Sequence, residues 1–252
     1  MALLKVLMLL LGLGVSVNSD VSLQKRIIGG HDCDVNDHLY HVRLLSTNGT
    51  ASTLCGGTLI HSMWILTAAH CWESEAGWTN KAIFKVHPRT AMQETQVIQY
   101  DPVIYTDHGQ KHDIMLLKLQ RPVTDVPLAL LPNCRKHLKK GSTVQLVGEG
   151  GTTTGPFNKR YPNAPISTHL QCVDMKVSAV SMFEPTCGHI FLAEAPDMDT
   201  CHGDSGSAVE FSYRTYGLVA ECSGGYACQL PVRIIDVCKY KSWIKQTTGV
   251  KL

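Results

Sequence analysis

The sequence predicts an all-β chain closed by one C-terminal α-helix, on two observations. Short apolar runs, many rich in Val, Ile and Leu, recur between turn residues, and helical periodicity is nearly absent except in the last twenty residues. The strand-length runs are His41–Leu45 (HVRLL), Gly56–Ile60 (GGTLI), Trp64–Ala69 (WILTAA), Ala82–Val86 (AIFKV), Gln96–Tyr100 (QVIQY), Ile114–Leu119 (IMLLKL), Thr143–Val147 (TVQLV), Gly217–Glu221 (GLVAE) and Arg233–Val237 (RIIDV). At the end, Val237, Tyr240, Trp243 and Ile244 share one helical face. The stretch Gln120–Gly141 breaks the rhythm. Its three prolines and its basic residues Arg135, Lys139 and Lys140 suit a solvated connection that divides the chain near 120–140.

A core is affordable: 44% of the 252 residues are hydrophobic, which excludes a disordered chain. The formal charge of +2 and the absence of a long basic run give no case for nucleic-acid binding. Residues 1–19 carry Lys5, an apolar run from Val6 to about Val15, and small residues ending at Ser19. The run is short for a membrane span and fits a secretory signal cut after Ser19. No later segment reads as a membrane span.

Ten cysteines behind such a leader predict disulfides in an oxidising compartment, although spacing alone cannot assign the pairs. The absence of any C-x-x-C pair argues against zinc. His108 and His112 could share a metal on a helix, but Gly109 and the adjoining strand pattern oppose that, so no metal is expected. Asn48-Gly49-Thr50 is an N-glycosylation acceptor in a turn-like stretch.

Three segments can carry chemistry. His70 ends the apolar run before Cys71, and Asp113 opens an apolar strand, where a buried carboxylate needs a partner. Ser205 lies in Met198–Phe211 (MDTCHGDSGSAVEF), between Asp204 and Gly206. A serine hydroxyl is a poor nucleophile until a base accepts its proton. His70 is the candidate base, Asp113 the group that sets its tautomer, and the amides of Gly203 and Ser205 the donors to a developing oxyanion. The elbow G-x-S-x-G is not met, because Ser207 stands in the last position. Finally, Lys25-Arg26 precedes Ile27-Ile28-Gly29-Gly30, so cleavage after Arg26 would create an amine at Ile27.

Together IIGG (27–30), CGGTLI (55–60), TAAHC (67–71), HDIMLLKL (112–119) and CHGDSGS (201–207) resemble the trypsin-like serine proteases of the chymotrypsin fold. The resemblance runs from Ile27 to the C-terminus. It implies two antiparallel six-stranded β-barrels with a C-terminal helix. His70 and Asp113 would come from the first barrel and Ser205 from the second. It implies a secreted zymogen: signal 1–19, propeptide 20–26, protease domain 27–252. A trypsin-like activating protease would cut after Arg26, and the new Ile27 amine would pair with Asp204. It implies a monomer with protein or peptide substrates and protein protease inhibitors as partners, no membrane and no nucleic acid, and no cofactor.

The resemblance also implies the pairs Cys33–Cys172, Cys55–Cys71, Cys134–Cys238 and Cys201–Cys228, leaving Cys187 with Cys222. Asp199, six residues before Ser205, matches the carboxylate that selects Arg or Lys before the cut bond. The departures are local. The family's GDSGGP reads Gly203-Asp204-Ser205-Gly206-Ser207-Ala208, and its GWG reads Gly148-Glu149-Gly150. Its SWG is either Ser223-Gly224-Gly225 or Ala220-Glu221-Cys222, without the tryptophan. Val232 falls on a pocket glycine, where its branched side chain would narrow the path to Asp199. An altered cleft leaves a second function in play, a non-catalytic binding protein on the same fold.

Overall fold

The structure is a computed structural model and describes residues 27–151, 156–159, 167–200, 202–220 and 227–251. The signal segment, the stretch 20–26 with Arg26, and Cys201, Cys222 and the segment 221–226 lie outside the described residues.

Fourteen strands are described, in two sheets. They are β1 (His31–Asp32), β2 (His41–Thr47), β3 (Ser52–His61), β4 (Trp64–Thr67), β5 (Thr79–Phe84), β6 (Glu94–Val97), β7 (Val103–Asp107), β8 (Gln110–Lys118), β9 (Thr143–Gly148), β10 (Gln171–Glu184), β11 (Gly188–Glu194), β12 (Ala208–Phe211), β13 (Arg214–Val219) and β14 (Val232–Asp236). A 3-10 turn at Val237–Tyr240 leads into helix α1 (Lys241–Thr248). Val237, Tyr240 and Ile244 are buried, so the expected apolar face is the one that docks. Gly249 ends the helix at φ 72° and donates to the Lys245 carbonyl.

The C-terminal sheet closes into a six-stranded barrel. Its order is β10-β11-β14-β13-β12-β9, and β9 pairs back onto β10 with β1 appended outside. The N-terminal sheet runs β6-β5-β2-β3-β4-β8-β7 and does not close, so only one of the two expected six-stranded barrels is complete. Its edges β6 and β7 are neighbours in the chain. The turn between them, 98–102, directs the Ile98 amide to the Asn80 carbonyl and contains Pro102, which has no amide to give. Every strand pair in both sheets is antiparallel, and the stretch between β8 and β9 contains no strand.

Side chains alternate with the pleat. In β10, Val173, Met175 and Val177 are buried while Asp174 and Lys176 are exposed. One apolar cluster fills the N-terminal sheet and reaches across to Ala208, Leu218, Ile235 and α1. A second lies inside the barrel around Val144, Leu146, Phe191 and Ile234, and Ile27 is fully buried in it.

Three of the expected disulfides are present: Cys33–Cys172, Cys55–Cys71 and Cys134–Cys238. Cys187 forms no disulfide among the described residues, and its expected partner Cys222 lies outside them. Cys187 sits buried at the turn between β10 and β11, where its carbonyl accepts from the Asp113 amide and its thiol lies 3.7 Å from Thr186 Oγ1. Burial pushes the thiol pKa up. Cys228 is described, but Cys201, its expected partner, is not.

Candidate active site

β4 delivers the chain to a 3-10 turn, Ala69–Cys71, that carries His70, and the Cys55–Cys71 bond ties this turn back to β3. Asp113 lies inside β8, the strand paired with β4. It accepts from the His70 amide at 2.9 Å, and His70 Nδ1 lies 3.1 Å from Oδ1 and 2.9 Å from Oδ2. The carboxylate offers acceptors only, so Nδ1 carries the proton and Nε2 presents a lone pair. The two burials differ in a useful way. The Asp113 side chain is 9% exposed, which shields the pair from water, whereas the His70 ring is 32% exposed and can reach a substrate.

Ser205 comes from the barrel, on the loop into β12. The Ser207 amide donates to the Asp204 carbonyl and the Gly206 amide to Val219, while the Ser205 carbonyl accepts from the Gly56 amide of β3 at 2.8 Å. Gly206 has φ 78°, and a Cβ there would lie 2.2 Å from Thr67 Oγ1 and 2.6 Å from the Gly56 carbonyl. No other residue type fits so close an approach. Among the described residues, the Gly203 and Ser205 amides take no part in these bonds. Cys71 Sγ lies 3.7 Å from the Ser205 carbonyl oxygen and 3.9 Å from His70 Nε2, which puts the base and the serine loop on two sides of one disulfide. No hydrogen bond joins the His70 and Ser205 side chains among the described residues. Such bonds often form only when substrate is bound.

The remaining predicted residues fall around this loop. Asp204 is fully buried and accepts from the Gly150 amide at 2.8 Å. Asp199 is buried, its two oxygens accepting from the Thr200 and Cys228 amides at 2.7 Å each, while its own amide donates to Ile28. Val232 is buried in the second-barrel apolar cluster. Asn48 is exposed in the β2–β3 turn, where its Oδ1 accepts from the Thr50 and Ala51 amides.

His108 is exposed in the β7–β8 turn at φ 47°, whereas His112 is buried with Nδ1 2.9 Å from the Tyr240 hydroxyl, so the two do not share a face. Burial lowers the His112 pKa. Among the described residues, two sites bring three ligand groups together, Cys33 with His38 and Cys172, and Cys55 with His70 and Cys71. In both, the sulfurs are bonded to each other and offer no thiolate.

Sequence reasoning missed a buried ionic group beside the loop. Arg43 on β2 donates to both oxygens of Glu149, from Nε at 2.8 Å and Nη2 at 2.7 Å, and Arg89 Nη2 lies 3.0 Å from Glu149 Oε1. Burial pushes the Glu149 carboxyl up, but His41 and the Arg43 hydrogen bonds outweigh it and hold it at about 2. His41 Nε2 is 3.7 Å away, beyond hydrogen-bond length, so the Arg43 fork is the stronger cause. The available signal was a charged residue inside the apolar run HVRLL, together with a glutamate between two glycines.

The chain matches the family described as Trypsin over residues 27–244. Kallikrein-5 of Homo sapiens is 30% identical to it over 94% of this chain and 80% of its own length. Snake venom serine protease 2 of Protobothrops jerdonii is 30% identical over 97% and 95% of the two chains. Trypsin II-P29 of Gallus gallus is 30% identical over 88% and 89%. Because the family match spans both sheets and reaches into the terminal helix, the chain belongs to the trypsin family and is a serine endopeptidase whose substrates are proteins.

Proposed function

We propose that the chain is a secreted zymogen that hydrolyses peptide bonds with His70, Asp113 and Ser205, cutting after Arg or Lys. The observation that carries the reading is the His70–Asp113 pair, whose geometry leaves Nε2 as a base beside the Ser205 loop. Ser205 Oγ attacks the scissile carbonyl carbon while its proton passes to His70 Nε2. Asp113 stabilises the imidazolium, and the Gly203 and Ser205 amides receive the oxyanion. Collapse expels the amine, which takes the proton from Nε2 and leaves an acyl-enzyme. Water then attacks the ester, giving its proton to Nε2, and Nε2 returns a proton to Ser205 Oγ as the acid product leaves.

Cleavage after Arg26 by a trypsin-like protease would free the Ile27 amine to pair with Asp204. The burial of Ile27 in the barrel core and of Asp204 beneath the loop supports this. Asp199 would face the basic side chain before the cut bond. A buried carboxylate held by two amides suits that role, because a charge pair formed away from water discriminates strongly. The protein would act as a monomer and meet protein protease inhibitors, and Asn48 would carry a glycan on its exposed turn.

The test is to cleave the protein after Arg26 and expose it to a serine-directed fluorophosphonate. Labelling at Ser205, with hydrolysis abolished in Ser205→Ala, is expected. An unlabelled, correctly folded and cleaved protein would instead make the chain a binding protein on this fold.

A further inference from the structure

We infer that Glu149 is a positioning residue: its ionic clamp to Arg43 and Arg89 fixes the floor on which the Ser205 loop rests. The inference rests on the proposed Ser205 chemistry.

Three observations lead to it. First, the clamp joins the two sheets. Arg43 belongs to β2 of the open sheet, and Glu149 directly follows β9 of the barrel. Arg89 grips Glu149 and also donates to the Ser167 and Thr168 carbonyls, while the Ser167 amide donates to the Glu149 carbonyl. Both the side chain and the backbone of Glu149 are therefore held.

Second, the residues on either side of Glu149 touch Asp204. A Cβ on Gly148 would lie 2.0 Å from Asp204 Oδ1, and one on Gly150 would lie 2.5 Å from both Cγ and Oδ2 of Asp204. The Gly150 amide donates to Asp204 Oδ1 at 2.8 Å and the Gly151 amide to the His202 carbonyl at 3.0 Å. Backbone at van der Waals contact leaves no slack, so a shift at 149 moves 202–204. Ser205 is the next residue.

Third, the charge is secure. Glu149 is 2% exposed, and its carboxyl pKa of about 2 keeps it ionised wherever the enzyme is folded and working. The clamp thus ties the loop bearing the nucleophile to the sheet bearing the base. The bland alternative is that it only holds the two sheets together.

A second polar contact between the sheets provides the control. Tyr40 donates to Glu210 on β12 and lies 3.0 Å from His38 Nδ1, and among the described residues its hydroxyl makes no hydrogen bond to the 148–151 backbone. The experiment compares cleaved wild type, Glu149→Gln, Arg43→Lys and Tyr40→Phe by kcat and KM on one peptide amide, melting temperature and fluorophosphonate labelling rate. Arg43→Lys keeps the charge and loses the two-pronged fork, and serves if Glu149→Gln does not fold.

The expected result is a fall in kcat of about 30-fold or more in the clamp variants with KM within about 3-fold, the pattern of lost transition-state positioning. Labelling should slow in parallel. Tyr40→Phe should lower the melting temperature but keep kcat within about 2-fold. Pairing Glu149→Gln with Arg43→Met removes the more deeply buried of the two orphaned guanidinium groups, and should recover part of the melting temperature but not kcat. Wild-type kcat in the folded clamp variants, an equal loss in Tyr40→Phe, or recovery of kcat in the double variant would each overturn the inference. Failure of wild type to label and turn over overturns the Ser205 reading beneath it.

Discussion

Replacing Gly56 with alanine tests how closely the open sheet supports the nucleophile. The new Cβ would lie 1.8 Å from Ser207 Oγ, 2.8 Å from Ser207 Cβ and 3.0 Å from Ser207 Cα. Rotation of Ser207 removes the first clash, but the other two atoms ride on the backbone of the Ser205 loop. Relief requires β3 and the loop to part by roughly 0.5–0.7 Å, because carbon contacts settle near 3.5 Å. The 2.8 Å bond from the Gly56 amide to the Ser205 carbonyl would then stretch past ordinary length. Overpacking of this kind costs about 1–3 kcal/mol of stability. A 1 Å misplacement of reacting groups costs about 10²-fold, so a shift of this size should lower kcat by about tenfold or more. Ser207→Gly removes two of the three contacting atoms. Ser207 Oγ has no hydrogen-bond partner among the described residues, so that change alone should be nearly neutral. Urea unfolding and kcat measured on both single variants and the double variant should yield a coupling energy of about 1 kcal/mol or more. If Gly56→Ala costs the same with and without the Ser207 side chain, the packing argument is wrong.

Glu149 makes acid stability a second test. Its carboxyl is depressed from 4.5 to about 2, so its contribution is complete above pH 4.5 and disappears as the pH falls towards 2. At 1.36 kcal/mol per pH unit the contribution is about 3 kcal/mol. Urea unfolding of wild type and Glu149→Gln should diverge above pH 5 and converge near pH 2, and parallel curves would refute the assignment. Asp113→Asn should leave the fold intact and lower kcat by about 10⁴-fold, because an amide facing Nδ1 favours the wrong tautomer. Near-wild-type turnover in that variant would remove Asp113 from the mechanism. Asp199→Ser should reduce kcat/KM for an Arg substrate by about 100-fold or more relative to a matched Ala substrate. An unchanged Arg preference would place the determinant elsewhere.

What could be read in the sequence was what is local in it. His70, Asp113 and Ser205 each stand in a short pattern of small or apolar neighbours, so each was visible without knowing what lay across the cleft. Strands such as β2 and β8 were legible as continuous apolar runs. β10 was not, because Asp174 and Lys176 break its run even though the alternation is that of a half-buried strand. The Glu149–Arg43 pair was hidden for a different reason. Its members are 106 residues apart, and only the packing of β2 beside the end of β9 turns two unremarkable charges into one buried group.

The two halves of the site stand on unequal foundations. Ser205 leads into a strand of a closed ladder, in which each of six strands has neighbours on both sides and fraying has no free end from which to start. His70 and Asp113 stand on a sheet with two open rims, β6 and β7, and β7 is the direct neighbour of the strand that carries Asp113. Amide hydrogen exchange should therefore be slowest around the barrel and fastest along those rims. Under the proposed roles, opening along those rims would reach the base and its carboxylate before it reaches the nucleophile.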